Sequence, residues 1–181
     1  MNLKQLYEQK GYNTDKFTGH SYLDTYNELF SPIKDKVKSI LEIGIQKGES
    51  LLMWKDLFPN AEIYGAEINL SALTINPYQD RIIIKQGDAY THPFRELFKD
   101  KKFDIIIDDG SHLIEHMEFF CKYYPNLLNP GGILIVEDIA YFPHAQQLIQ
   151  ALPKELQPKA QMVDLRSIKG RWDDVLLVVK S

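Results

Sequence analysis

Between Phe103 and Asp138 the chain concentrates groups that can hold a cation and move a proton. One apolar run, Phe103 to Ile107, ends in Asp108-Asp109-Gly110-Ser111-His112, and a second, Ile133 to Val136, ends in Glu137-Asp138. A helix-like segment, Leu113 to about Leu128, joins them and is stopped by a turn at Asn129-Pro130-Gly131-Gly132. Two buried strands joined by a helical crossover run parallel, and as neighbours they lie about 4.8 Å apart, so their carboxylates meet at one edge of the sheet. Four carboxylates crowded there repel each other and lose solvation, which a hard divalent cation with oxygen ligands would compensate. His112 lies within reach of whatever that cation holds. A plainer explanation, acidic residues solvating strand ends, suffices for either pair alone. His116 is spaced four from His112, so the two could share one helical face, which raises a zinc alternative, but carboxylates dominate the cluster and favour an oxygen-seeking ion.

A second constellation suits a nucleoside. Leu41-Glu42-Ile43-Gly44-Ile45-Gln46-Lys47-Gly48-Glu49-Ser50 closes a strand and opens a helix. Gly44 lets the backbone turn tightly against a ligand, and Gly48 and Ser50 begin a helix whose free N–H groups suit polar or anionic groups. Glu67 ends the next strand, where a carboxylate can accept from both ribose hydroxyls. Gly87-Asp88 follows the third strand, where Asp88 can accept from an adenine amine, and Asp108 ends the fourth. Together these residues describe a site for an adenosine-containing cofactor at the crevice where strand order reverses.

The elements needed to position these groups are legible in the pattern. Leu3 to Gln9 and His20 to Phe30 read as helices, separated by the polar loop Gly11 to Gly19. That loop is either a connector or a flap over the open sheet edge, where Thr14, Lys16, His20 and Tyr22 would meet a ligand. Strands are expected at Ser39 to Ile45, Ala61 to Ile68, Arg81 to Gln86, Phe103 to Ile107 and Ile133 to Val136. Helices are expected at Glu49 to Phe58, Phe94 to Phe98, Leu113 to Leu128 and Ala145 to Leu152. Such alternation means an α/β fold with a parallel sheet covered on both faces. Ala160 to Leu165 and Val175 to Lys180 are strand-like runs whose link suits a hairpin. Tyr22, Tyr141 and Phe142, near the open edge, could stack on a sugar face or serve as packing.

Length and composition set the outer bounds. The chain of 181 residues, 44% hydrophobic and 25% charged, fits one soluble domain, with residues 1–36 as a helical cap and 37–181 as the core. A net charge of −4 gives no basic field for a nucleic-acid backbone. The single Cys121 suits a reducing compartment. The polar start of the chain is unlike a signal peptide, and no apolar run approaches the roughly 18 residues needed to cross a membrane, so a cytoplasmic protein is expected. A homo-oligomer is compatible with all of this.

A doubly wound sheet that ends in an antiparallel hairpin is unlike a nicotinamide-binding domain and is the arrangement of class I methyltransferases. The strings Leu41 to Trp54, Ile63-Tyr64-Gly65-Ala66-Glu67-Ile68, Asp108-Asp109-Gly110-Ser111-His112 and Ile135-Val136-Glu137-Asp138 resemble the S-adenosylmethionine-dependent, magnesium-dependent O-methyltransferases acting on sugars of macrolide antibiotics. Thr14-Asp15-Lys16 with His20 and Tyr22 is similar to the segment ahead of that domain, although the larger macrolide enzymes carry a further N-terminal domain. The resemblance extends to methyltransferases of polysaccharide sugars and to a cephalosporin-modifying component, so it does not fix the acceptor. It implies Asp109, Glu137 and Asp138 as ligands of Mg²⁺ or Mn²⁺ and His112 as general base, with Asp109 also catalytic. It places Glu42, Gly44, Gly48, Glu67 and Asp88 at S-adenosylmethionine, where Glu67 stands in place of the commoner aspartate. The expected reaction is methyl transfer to a sugar hydroxyl of a glycan or glycosylated small molecule. The alternatives are a catechol-type acceptor or a non-catalytic cofactor-binding scaffold.

Overall fold

The computed structural model describes residues 1–181. Three helices come first: α1 (Leu3–Lys10), α2 (Asp15–Thr18) and α3 (Leu23–Phe30). Then follow β1 (Ser39–Ile43), α4 (Glu49–Leu57), β2 (Glu62–Glu67), β3 (Ile82–Gln86), α5 (His92–Arg95), β4 (Phe103–Asp108), α6 (Ile114–Tyr123), β5 (Leu128–Val136) and α7 (His144–Ala151). The chain ends with β6 (Ala160–Asp164), α8 (Arg166–Lys169) and β7 (Val175–Lys180). The seven strands form one sheet in the order β3-β2-β1-β4-β5-β7-β6. Only β7 runs against its neighbours, pairing antiparallel with both β5 and β6. The doubly wound sheet with a terminal hairpin is therefore present as expected.

Each buried strand feeds two cores, because side chains alternate between the faces of a sheet. Ile40, Ile105, Ile107, Ile133, Ile135, Leu176 and Val178 face α1, α3 and α4, where Tyr26, Phe30, Trp54 and Phe58 pack ring against ring. Leu41, Ile43, Ile106, Leu134, Val136, Leu177 and Val179 face α6 and α7, with Met117, Phe120, Cys121 and Leu148. The N-terminal helices thus share the first core.

Several boundaries differ from expectation for local reasons. The first strand stops at Ile43, since Gly44 turns the backbone at φ +79°. Helix α6 ends at Tyr123 rather than Leu128, before Tyr124-Pro125, whose ring and missing N–H cannot continue it. Asn129 to Gly132 lie within β5 as an irregularity that shifts its register against β4. The third helix starts at Leu23 because His20 and Ser21 are engaged elsewhere: Lys169 donates to the His20 carbonyl, and Ser21 N–H to Asp174. The loop from Gly11 to Gly19 contains α2, and the hairpin link contains α8.

Register decides where the chemistry falls. Ile43 lies opposite Asp108, and Asp108 opposite Val136. The ladder continues one residue further, Asp109 N–H to Ile43 O and Glu137 N–H to Asp108 O, each at 2.9 Å. Gly44, Asp109 and Glu137 therefore leave the sheet side by side, at the point where strand order reverses between β1 and β4.

Candidate active site

A cleft opens at this edge in two connected parts, both bounded by Gly44, Glu67 and Gly110. One, of about 210 Å³, is polar and is lined among others by Thr14, Gln46, Ser50, Asp109 and His112. The other, of about 190 Å³, is more apolar, with Ile43, Ala66, Ile68, Gly87, Asp88 and Tyr90. Gly44 is required here: a β-carbon on it would fall 2.0 Å from the Asp109 carbonyl oxygen. Glu67 is fixed by the turn it faces, accepting from Ile45 N–H (3.1 Å), Gln46 N–H (2.9 Å) and Asn69 N–H (3.1 Å). Its Oε1 holds only the last of these and keeps capacity to accept from a ligand. Asp88 accepts from Tyr90 N–H at 2.9 Å, which orients it beside the apolar part.

Asp109, His112 and Asp138 bring one ligand atom each to within 4.8 Å of one another. His112 Nε2 lies 3.7 Å from Asp138 Oδ2, and its side chain is 39% exposed, open to the cleft. Both His112 and Asp138 sit at φ +57°, a left-handed conformation that costs a residue with a β-carbon energy and is held only where surroundings enforce it. Around Asp138 the enforcement is visible. Tyr22 Oη donates to its Oδ1 at 2.5 Å, and His20 Nδ1 lies 3.1 Å from the same oxygen. His20, Asp138 and Asp173 form a second grouping of possible ligands, but Arg171 already forks onto Asp173 at 2.9 and 2.8 Å.

Glu137, expected among the cation ligands with Asp109 and Asp138, is 1% exposed and points the other way, outside that grouping. Both its oxygens face Lys16 Nζ, at 2.8 and 3.0 Å, and it accepts from the Tyr26 hydroxyl. Lys16 also pairs with Asp109 and, at 3.1 Å, with Glu42. Burial drives the Glu137 carboxyl up to about 8 despite the opposing Lys16 charge. It drives Asp109 well above the usual carboxylate range, with the Glu137 charge adding to the rise. For Lys16, burial would lower the pKa, but the three carboxylates outweigh it and hold the ammonium charged. Asp108 is 2% exposed; burial raises its carboxyl to about 7, against the hydrogen bond from Tyr90 Oη at 2.5 Å.

These placements correct several expectations. Lys16 is not a flap residue over the cofactor crevice but a buried cation beneath it, carried there by α2. His20 and Tyr22, expected to touch substrate, are 3% and 0% exposed, stack on each other and brace Asp138. Glu42 is fully buried and accepts from Ser50 Oγ (2.7 Å) and Trp54 Nε1 (3.0 Å), so it supports the cleft floor rather than lining it. Asp108 likewise stands behind the cleft. Gly48, at φ +83°, faces Ile75 and Leu73 and shapes the start of α4. His112 precedes α6 and does not share a helical face with His116, which instead stacks on Tyr90 and contacts Ser111. Gly44, Ser50, Glu67, Gly87, Asp88 and Thr14 do line the cleft, and Tyr141 is 59% exposed. Sequence reasoning missed Tyr90, Asp174 and Lys169. No local pattern marks them, since each acts on a residue distant in the chain.

Comparison with known proteins agrees with this fold. Residues 41–139 match the family model described as a methyltransferase domain. Over 146 residues the chain is 33% identical to the 8-demethyl-8-alpha-L-rhamnosyl tetracenomycin-C 2'-O-methyltransferase of Streptomyces olivaceus, covering 75% of this chain and 38% of that one. It is 34% identical over 145 residues to the mycinamicin VI 2''-O-methyltransferase of Micromonospora griseorubida, covering 73% and 35% respectively. Its fold matches the MycE methyltransferase from the mycinamycin biosynthetic pathway, solved in complex with Mg, SAH and mycinamycin VI. The TM-score is 0.74 at 25% identity, over 99% of this chain and 54% of that one. The chain thus spans little more than a third of the curated relatives it matches. Since the matched segment is more than half of the chain and contains both the Gly44 turn and the carboxylates that follow β4 and β5, the chain belongs to the methyltransferase domain family, with the class I fold.

Proposed function

We propose that this domain catalyses S-adenosylmethionine-dependent, divalent-cation-dependent methyl transfer to a hydroxyl of a sugar on a glycan or glycosylated small molecule. The observation that carries the reading is the convergence of Asp109, His112 and Asp138 on one point, with Asp109 and His112 opening into the part of the cleft that Gly44 bounds. In this reading the apolar part takes the adenine beside Asp88, and Glu67 Oε1 accepts from the ribose. The polar part, between Gly44 and Thr14, takes the methionine portion of the donor.

The donor set fits a hard cation. Asp109 and Asp138 supply carboxylate oxygens, while Glu137, whose two oxygens face the Lys16 ammonium that also pairs with Asp109, stands beside the set and steadies it. Such an ion, when bound, lowers the pKa of a coordinated hydroxyl and holds it in place. His112 Nε2, open to the cleft, would accept the proton of the acceptor hydroxyl, and a donor bound against Gly44 would supply the methyl group. Tyr22 and His20 keep Asp138 in position, so the groups around the reacting oxygen are set before it arrives, which is where a displacement reaction gains most.

A sugar as acceptor is supported by the rhamnosyl group in the name of the Streptomyces olivaceus relative. The test is incubation of the protein with labelled donor and Mg²⁺ against parallel panels of glycosides and catechols, with and without chelator. Label transfer to a glycoside, abolished by chelation, is expected. Transfer confined to catechols, or unaffected by chelation, would overturn the reading.

A further inference from the structure

Lys16 occupies a position unlike that of most lysines. Its ammonium is 1% exposed and is surrounded by four carboxylate oxygens from three strand ends: Glu42 Oε1 at 3.1 Å, Glu137 Oε1 and Oε2 at 2.8 and 3.0 Å, and Asp109 Oδ2. An ammonium has three protons to give. Glu42 Oε1 is the oxygen left without a donor, although Glu42 is fully buried. Several oxygens converging on one point, more than the protons available there, is the donor set of a hard cation. The surroundings hold that set rigid. Ser50 and Trp54 fix the other oxygen of Glu42, Tyr26 fixes Glu137, and Lys169 binds the carbonyls of Phe17, Thr18 and His20, pinning the segment that carries Lys16.

We propose that the Lys16 ammonium stands in a second cation position of this cluster and acts as a positioning residue. It holds Glu42, Glu137 and one oxygen of Asp109, and so leaves a single opening for a divalent ion on the side of His112 and Asp138. The chain keeps to one divalent ion because the other place is filled by its own side chain. Emptying that place, with the three carboxylates still fixed by their partners, creates a site for another hard cation.

The inference rests on the metal-centre reading given under Proposed function, and its test is a difference in count that separates the two. Mn²⁺ binding to the full chain is measured by calorimetry and electron paramagnetic resonance for the natural protein and for Lys16→Ala, with folding followed by circular dichroism. Lys16→Ala is expected to take up one more Mn²⁺ per chain than the natural protein. A folded Lys16→Ala that binds the same number overturns the proposal. If the variant loses its native spectrum without metal, recovery on adding Mn²⁺ with uptake of the extra equivalent supports it, and failure to recover overturns it. A natural protein that binds no Mn²⁺ would defeat the functional reading, while a single equivalent gained by Lys16→Ala would still support the role of the ammonium.

Discussion

At the scale of single residues, the site divides by accessibility. His112 is the partly exposed group of the proposed cation site, and Asp109 and Asp138 are held behind it. A side chain that only moves the proton should be separable from those that bind the ion. His112→Ala is therefore expected to lower kcat by about 10²–10⁴-fold while Mn²⁺ affinity, read by calorimetry, stays within a few-fold; equal loss of both would make His112 a ligand instead. Asp108 makes a different prediction. Its folded-state carboxyl is raised to about 7 by burial, so the folded protein holds a proton that the unfolded chain releases near pH 4. Stability from this group is fully present below about pH 4 and is lost as pH rises toward 7, by up to about 1.4 kcal/mol per pH unit. Asp108→Asn should flatten that decline in a series of thermal melts without added metal. An unchanged slope would show that Asp108 is not the source.

At the scale of elements, three parallel strands in one register deliver the chemistry. Because Ile43, Asp108 and Val136 are aligned across β1, β4 and β5, the residue following each is delivered to the same edge. This much was legible in the sequence: apolar runs ending in Asp108-Asp109 and Glu137-Asp138, joined by a helical crossover, admit little else. Gly44 was legible as a turn, but not the closeness of Asp109 behind it. Gly44→Ala combines the left-handed φ with a contact of 2.0 Å to backbone that cannot rotate away. It should cost at least about 1–2 kcal/mol from the conformation alone and weaken nucleoside binding further by pushing the turns after β1 and β4 apart. A melting temperature and donor affinity equal to those of the natural protein would show that this edge is looser than the packing implies. The N-terminal segment was read less well. His20, Tyr22 and Lys16 looked like ligand contacts because they are polar and precede the sheet. Their partners Asp138, Asp174, Asp109 and Glu137 lie about a hundred or more positions away, and no local periodicity reports such pairing.

At the scale of the whole molecule, the two ends of the chain close over the middle. Lys169 and Asp174, from the link between β6 and β7, grip residues 17–21. That segment places Lys16, His20 and Tyr22 against the carboxylates of the central strands. Six of the seven strands run in the same direction, and no helix is long and apolar enough to cross a membrane. The account depends on a divalent ion lying where the ends of β4 and β5 meet the cleft. The most direct measurement is anomalous diffraction from a crystal of the protein grown with Mn²⁺ and S-adenosylhomocysteine. The account predicts an anomalous peak at about 2.1 Å from oxygens of both Asp109 and Asp138, adjoining the ligand bound against Gly44. A peak elsewhere, or none at a concentration that saturates activity, would contradict it.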